Sequence, residues 1–507
     1  MEQASWVQLQ NGSDIRGVAL LGIADQPVNL TASHANSIGQ AFAQWLSAKL
    51  NKPAAELKVA IGRDSRLSGP DLAQGLAEGL MATGVAVTDF GLASTPAMFM
   101  ATVKPALDQD VFDGSVMITA SHLPFNRNGF KFFTDAGGLD KPDIHQLLRL
   151  AAQSPHQACE QPVNTLDYMS IYAADLVNKV RQAINHPSDY HQPLKGLKII
   201  VDAGNGAGGF FVDKVLQPLG ADTQGSQFLA PDGHFPNHVP NPEDAQAMQS
   251  ICAAVVHHQA DLGLIFDTDV DRSAAVDEHG QAINRNRLIA LMAAILLKDA
   301  PGATIVTDSV TSDGLTDFIE HQLQGKHHRF KRGYKNVINE AIRLNNQGVL
   351  TPLAIETSGH AALKDNYFLD DGAYLVTLLL IELAKAKLLN LSLTSLIATL
   401  QEPVEEQERR FHILQPDFQH YGQQVLDALT HYVAKQPGWR QVPNNYEGIR
   451  VACQADDEQG WFLLRLSLHD PVLALNVESN IAGGVDNILA RLMTFMAEFK
   501  QDLTLAS

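Results

Sequence analysis

Cysteine is scarce in this chain: Cys159, Cys252 and Cys453 are the only three in 507 residues. Their odd number and wide spacing exclude a disulfide framework and a four-cysteine zinc site, and they fit a reducing, cytoplasmic setting. Long apolar runs are also missing. The longest uncharged one, "LIALMAAILL", is too short to span a bilayer and predicts a buried helix. The start "MEQASWVQLQNGSD" has no basic residues followed by an apolar stretch, so no signal peptide is expected. Positive charge is in deficit, with 37 Lys and Arg against 56 Asp and Glu and a net charge of -19. Such a field repels nucleic acid and anionic membrane, and neither is expected as a partner. A small anionic substrate needs only a local group of cations and stays open.

What is present is ordinary for a globular protein, with 45% hydrophobic and 18% charged residues. The length exceeds one hydrophobic core and implies about three to five domains. Three apolar segments end in glycine-containing or acidic turns: "LKVAIGRDSRLSG" from Leu57, "LKIIVDAGNGAGG" from Leu197 and "ATIVTDSVTSDG" from Ala303. Each predicts a buried strand, a turn and a helix. Roughly 50 to 65 residues after each comes a second short strand with polar chemistry at its end: "VMITASH", "LGLIFDTDVDRS" and "LAIETSGH". Three copies imply three similar α/β domains, with ligands beyond the carboxyl ends of the strands. After about residue 400 the pattern changes. "EPVEEQERR" reads as a charged linker, and the remainder of the chain as a smaller α+β domain. The expected division is 1–160, 161–299, 300–401 and 402–507.

The strand ends carry the chemistry. Asp267, Asp269 and Asp271 alternate along what is expected to be an extended segment, so that three hard oxygen ligands face one way and suit Mg²⁺. Arg272 adds a cation for a phosphate beside the metal. The same stretch matches the haloacid-dehalogenase pattern, in which Asp267 is a nucleophile. Ser121 is not in a Gly-x-Ser-x-Gly elbow, which disfavours acyl transfer. Facing a metal and a lysine, a serine oxygen is placed to accept and return a phosphoryl group. Glu356, Ser358 and His360 offer a carboxylate and hydroxyl for neighbouring sugar hydroxyls and an imidazole for a phosphate or ring oxygen. Alternation puts Arg465, Ser467 and His469 on one face as a phosphate cradle. Arg16, Arg63, Arg66, Lys331, Lys335 and Arg450 extend the positive supply.

Taken together these stretches resemble the α-D-phosphohexomutases, of the phosphomannomutase/phosphoglucomutase type, along nearly the whole chain. The family's phosphoserine loop looks like Thr119 to Pro124 with Asn128, Gly129 and Lys131; its Asp-x-Asp-x-Asp-Arg metal loop is matched by Asp267 to Arg272. The sugar loop is similar to Glu356 to His360, and the phosphate loop to Arg465 to His469. Leu123 stands where the family has asparagine, Ile355 where it has glycine, and Leu468 and His469 where it has a small residue and threonine.

The resemblance implies three α/β domains with mixed sheets and a smaller C-terminal α+β domain around a central cleft. It also implies interconversion of hexose 1-phosphate and hexose 6-phosphate, of glucose or mannose. Ser121 would carry the phosphoryl group, with one Mg²⁺ per active site held by Ser121, Asp267, Asp269 and Asp271. Lys131, His122, Arg16 and Arg272 would assist transfer. Lys331, Glu356, Ser358, His360, Arg465, Ser467 and His469 would bind substrate. A hexose 1,6-bisphosphate would be the intermediate and activator, in a cytoplasmic monomer or homodimer. The alternatives are a phosphoglucosamine mutase, a haloacid-dehalogenase-type phosphatase with Asp370 and Asp371 holding metal, and a non-catalytic sugar-phosphate sensor. The phosphatase leaves Ser121 idle, and the sensor is favoured only if Ser121 or a metal aspartate is missing; none is.

Overall fold

The structure, a computed structural model, describes residues 6–105, 111–159, 161–467 and 470–505. It divides into two compact units, Met1–Asn284 with Ser358–Ala362 and Leu369–Leu393, and Arg285–Thr357 with Leu363–Phe368 and Thr394–Ser507.

The repeat expected from the sequence is present as three pairs of strands. Lys58–Arg63 lies parallel to Gly114–Ile118, Ile199–Asp202 to Leu262–Phe266, and Thr304–Thr307 to Leu353–Ile355. Because each pair is adjacent, the turns after its two strands come side by side. In the first unit, Gly114–Ile118 is buried along its length and also pairs antiparallel with Arg127–Thr134, which pairs in turn with Asp14–Val18. Gly129 makes that last pairing possible: a Cβ there would lie 2.1 Å from the Ile15 carbonyl oxygen. The helices Ala32–Leu50, Gly69–Ala82 and Lys141–Ala151 bury Phe42, Leu46, Leu76, Leu80 and Leu147 against this sheet in one core. The strand Leu262–Phe266 forms a hairpin with Ser273–Asp277, and residues 267–272 are its loop. Both sheets are thus mixed.

In the second unit Thr304–Thr307 is flanked by parallel neighbours, Lys326–Arg329 and Leu353–Ile355. The "LIALMAAILL" run is a helix, Arg285–Leu297, buried almost all round as its composition requires. The C-terminal sheet of six strands is antiparallel, and the helices Phe418–Val433 and Gly484–Met496 share its core.

Two expectations fail here. "EPVEEQERR" is not a linker, because Glu405–Ile413 is a strand paired over eight residues with Val472–Ser479. Its charges lie on the exposed side and leave backbone pairing untouched, while Phe411 and Ile413 enter the core. Nor does a regular α-helix follow the Ile199–Asp202 strand; its turn runs into a π-helical segment, Phe211–Leu216. No helix among the described residues is long and apolar enough to cross a membrane. The three cysteines are free.

Candidate active site

Ser121 sits just past the buried strand Gly114–Ile118 with φ of +50°, a left-handed conformation that an L-residue keeps only when its surroundings impose it. The imposing group is Arg66. Its side chain is fully buried and donates to the backbone carbonyls of Ser121 at 2.5 Å, Leu123 at 2.6 Å, and Pro124 and Arg127 at 2.8 Å each. Asp64 pairs with Arg66 and takes the Thr119 hydroxyl at 2.6 Å, while Thr119 Oγ1 accepts the Ser121 N–H at 2.8 Å. Burial lifts the Asp64 carboxyl to about 6 despite the neighbouring guanidinium. Arg66, expected among the cations for substrate, is therefore a scaffold for the serine loop. Arg16 reaches the same loop and donates to the Ala120 carbonyl at 2.9 Å and to Asp14 at 2.9 Å.

The three aspartates converge, but not by strand alternation. Residues after Phe266 turn sharply: Val270 has φ of +68°, and the Asp267 N–H reaches the Arg272 carbonyl at 3.3 Å. All three carboxylates are buried, each with an oxygen within 4.8 Å of the others'. Ser121 Oγ donates to Asp267 Oδ2 at 2.9 Å. Lys131 Nζ lies between the other two, donating to Asp269 at 2.9 Å and to Asp271. Burial and the two neighbouring carboxylates push Asp267 well above the usual carboxylate range. At Asp271 the cations Lys131, His360 and Arg272 overcome the effect of burial and hold the carboxyl down. Asp269 Oδ1 and Asp271 Oδ1 are buried without a hydrogen-bond partner. Such oxygens are costly unless a cation takes them. The donor set, three hard anionic oxygens with a serine hydroxyl beside them, fits Mg²⁺.

Arg272 stands over the serine. Its Nη2 donates to Ser121 Oγ at 3.1 Å, Asp267 Oδ2 at 3.1 Å and His122 Nδ1 at 2.7 Å. Burial first, and then Arg272, Arg16 and His360, push the His122 pKa down to about 3. Its imidazole is neutral, and because Nδ1 accepts from Arg272 the ring proton is on Nε2. His360 is the opposite case. Its Nδ1 pairs with Asp370 at 2.6 Å; burial alone would lower its pKa, but Asp370 and Asp271 raise it to about 9. Gly359, with φ of +93°, brings this turn against Ser273, where a Cβ would lie 2.8 Å from the carbonyl oxygen. Ser358, buried, belongs to the same turn. Asp371 is used elsewhere, capping the helix Gly372–Leu388 through Tyr374 N–H and accepting the Tyr172 hydroxyl at 2.6 Å. The phosphatase reading needs it as a metal ligand, but among the described residues it is in neither group of potential ligands, whereas Asp370 shares one with Asp271 and His360.

The first unit thus brings Ser121, His122, Lys131, Asp267, Asp269, Asp271, Arg272 and His360 together, with Arg16 at the serine loop. In the second unit Glu356 is buried and accepts the Gly333 N–H at 2.5 Å, and Lys331 is exposed. Arg465 lies 3.8 Å from Glu447 and is lowered in pKa mainly by burial. The alternation expected for the phosphate cradle stops early, since the strand Gly460–Leu466 ends before Ser467, whose hydroxyl accepts the Asp470 N–H. Leu468 and His469 lie outside the described residues. Arg450 is no part of a cradle. It is buried against Trp461, 3.5 Å from ring centroid to guanidinium, and donates to the Ser309 and Thr311 carbonyls and to Asp313.

Sequence reasoning missed Thr95 and the pairing role of Asp370. Thr95 Oγ1 donates to Asp269 Oδ2 at 2.5 Å and its N–H to the Asp269 carbonyl at 2.8 Å. The Ser94-Thr95-Pro96 start of the helix Thr95–Val103 is a legible capping signal, but nothing in it names its target.

Known proteins resemble this chain along nearly its whole length. Residues 7–157, 172–280 and 284–403 match the family models for phosphoglucomutase/phosphomannomutase alpha/beta/alpha domains I, II and III. A phosphomannomutase/phosphoglucomutase of Pseudomonas syringae pv. tomato is 33% identical over 497 residues, covering 96% of this chain and 94% of that protein. A phosphoglucomutase of Neisseria gonorrhoeae is 30% identical over 481 residues, covering 94% of each. The crystal structure of a phosphoglucomutase/phosphomannomutase family protein from Burkholderia thailandensis superposes with a TM-score of 0.79 at 29% identity, over 99% of both chains. The chain belongs to the phosphoglucomutase/phosphomannomutase family.

Proposed function

We propose that this member of the phosphoglucomutase/phosphomannomutase family interconverts hexose 1-phosphate and hexose 6-phosphate, of glucose, mannose or both, through phosphoserine at Ser121 and a hexose 1,6-bisphosphate. The observation that carries the reading is Ser121 Oγ, held in a left-handed turn between Asp267 Oδ2 at 2.9 Å and Arg272 Nη2 at 3.1 Å. A hydroxyl so placed has an anionic neighbour for its proton and a cation for the charge that develops when a phosphoryl group arrives or leaves.

Asp267, Asp269 and Asp271 with Ser121 would hold Mg²⁺. When bound, the ion supplies charge neutralisation for the transferring phosphoryl oxygens. Arg272 hydrogen-bonds the oxygen bridging serine and phosphorus, and its fixed position orients the group. His122, neutral with its proton on Nε2, is a hydrogen-bond donor to phosphate rather than a proton shuttle. Lys131, whose Nζ carries the proton nearest the carboxylates, is assigned to proton movement, and Arg16 to the serine loop and its phosphate. His360, cationic beside Asp370, offers a positive group to a substrate phosphate or ring oxygen. Ser358 and Glu356 are assigned to sugar hydroxyls, and Lys331, Arg465, Ser467 and His469 to the phosphate that is not reacting. Transfer forms a bond from a sugar hydroxyl oxygen to phosphorus and breaks the bond from phosphorus to Ser121 Oγ. The reverse step at the other end of the sugar restores the phosphoserine. The division at 1–160, 161–299, 300–401 and 402–507 belongs to the same proposal, with one of these loops in each part.

The test is product formation from α-glucose 1-phosphate, mannose 1-phosphate and glucosamine 1-phosphate, with Mg²⁺ and glucose 1,6-bisphosphate, followed by ³¹P NMR. Appearance of a 6-phosphate from glucose or mannose supports the reading. Turnover of glucosamine 1-phosphate alone reassigns the sugar, and release of inorganic phosphate alone rejects the mutase.

A further inference from the structure

We infer that Asn241 is a positioning residue that aims the Arg272 guanidinium at Ser121, and that the buried Asp202–His238 pair holds the turn carrying it. The inference rests on the phosphoryl-transfer reading of Ser121.

Besides the bonds from Nη2 to Ser121 Oγ and His122 Nδ1, the Arg272 guanidinium is gripped on both sides. Asp267 Oδ2 takes Nε at 3.2 Å and Nη2 at 3.1 Å, which fixes one edge. Nη1 points away from the serine and donates to Asn241 Oδ1 at 3.0 Å, with Glu243 3.9 Å distant. Without Asn241 the Nη1 end has only Glu243 at 3.9 Å, so the planar group can swing on its Asp267 and His122 bonds and draw Nη2 out of line with Ser121 Oγ. The contact with Asn241 removes that freedom.

Asn241 is itself immobilised. It lies between Pro240 and Pro242; its N–H donates to the Val239 carbonyl at 2.8 Å and its carbonyl accepts the Asp244 N–H at 2.9 Å. Its Oδ1 also accepts the Glu243 N–H at 3.1 Å. Three residues earlier His238 is buried. Its Nε2 lies 3.0 and 3.1 Å from the two oxygens of Asp202, and its Nδ1 lies 2.9 Å from the Val239 carbonyl. Both ring nitrogens face acceptors, so the ring that satisfies both is the imidazolium. Asp202 ends the strand Ile199–Asp202 and also takes Gln227 Nε2 at 2.7 Å and the Gly204 N–H at 2.9 Å. Gly204, with φ of +52°, comes so near Pro240 that a Cβ would lie 2.8 Å from the proline ring. A continuous series of contacts therefore runs from a buried strand end through His238 and the proline-flanked turn to Asn241, Arg272 and Ser121. None of the residues before Arg272 touches the reacting oxygen, so their role is to orient.

The experiment compares Asn241→Ala, Asn241→Ser and Asn241→Asp with the unaltered full chain, in steady-state kinetics on glucose 1-phosphate and in crystal structures. Removing an acceptor from a charged donor is expected to lower kcat about 10- to 100-fold while KM changes by less than about 3-fold. Asn241→Asp, which keeps an oxygen at the same place, is expected to remain within about 3-fold of the original kcat. His238→Gln should show a smaller loss of kcat of the same kind. A merely structural role would instead lower the folded fraction with Asp as well as Ala, at constant kcat per folded molecule. Asn241→Ser keeps a hydroxyl for the Glu243 N–H but is too short for Nη1, and it stands in if the alanine variant does not fold. In either crystal structure Arg272 Nη2 is expected beyond hydrogen-bond distance of Ser121 Oγ. An unmoved guanidinium, or an unchanged kcat in an active enzyme, overturns the inference. Failure of the unaltered protein to convert any hexose phosphate would instead reject the functional reading, and the Arg272 position would still decide the role of Asn241.

Discussion

Thr95 holds Asp269 twice, through its backbone N–H to the Asp269 carbonyl at 2.8 Å and through its hydroxyl to Oδ2 at 2.5 Å. The start of the helix Thr95–Val103 is thereby pinned to the aspartate loop, and its N-terminal dipole faces a carboxylate. Partners of metal ligands orient them and tune affinity. Thr95→Val keeps the shape and loses the hydroxyl, and is expected to weaken Mg²⁺ binding about 10- to 100-fold. A Mg²⁺ titration of activity measures this, and unchanged half-saturation would contradict it.

Arg66 is expected to matter for folding of the serine loop rather than for substrate affinity. Arg66→Ala strips four carbonyls of their donor and leaves Asp64 buried without its partner, a change expected to cost about 3–5 kcal/mol. Urea unfolding should show a lowered midpoint. Arg66→Lys should not rescue it, because an ammonium cannot fork to four carbonyls.

Arg450 makes the same distinction in the second unit. Stacked on Trp461 and bonded to Asp313 and two carbonyls, it is expected to support packing alone. Arg450→Met should lower the thermal midpoint and leave KM for sugar phosphate within about 3-fold. A large rise in KM at unchanged stability would return Arg450 to the cations that meet substrate.

His238 gives a pH signature. Burial lowers its pKa, but Asp202, the Val239 carbonyl and the more distant Asp244 outweigh that, and the net shift is upward. The folded protein therefore binds this proton more tightly than the unfolded chain does. The stabilisation is fully present below the unfolded histidine pKa of about 6.5 and is lost as pH rises through the folded value. The stability difference between the original protein and His238→Gln should be larger at pH 6 than at pH 9, by urea unfolding at both. An equal difference at both would show that folding leaves the histidine pKa unshifted, and a smaller difference at pH 6 that the ring is kept neutral in the folded state.

How much of this was legible in the sequence depends on whether a feature is local. The strands ending at Ile118, Phe266 and Ile355 are short apolar runs followed by polar turns, and their period-free burial is visible in the residues themselves. The aspartate series was expected to gather its carboxylates and does, but for a different reason: they meet through a turn at Val270, whose positive φ no side-chain pattern advertises. Charge misled twice. "EPVEEQERR" forms a strand because pairing is a backbone matter and its exposed side tolerates charge. Arg66 and Arg450 read as cations for substrate although each neutralises and binds groups of the protein, a fact that only long-range contacts reveal. The pairings of Asp370 with His360 and of Thr95 with Asp269 were not legible either, the partners lying 10 and 174 residues apart in sequence.

The central claim is that Ser121 Oγ carries the phosphoryl group. Its most direct test is the mass of the peptide containing Ser121 after incubation with glucose 1,6-bisphosphate and Mg²⁺, with Ser121→Ala as control. One acid-stable phosphate on Ser121, absent from the control and discharged by glucose 1-phosphate, is the expected result. No phosphate there, with a labile acyl phosphate trapped at Asp267, would contradict it.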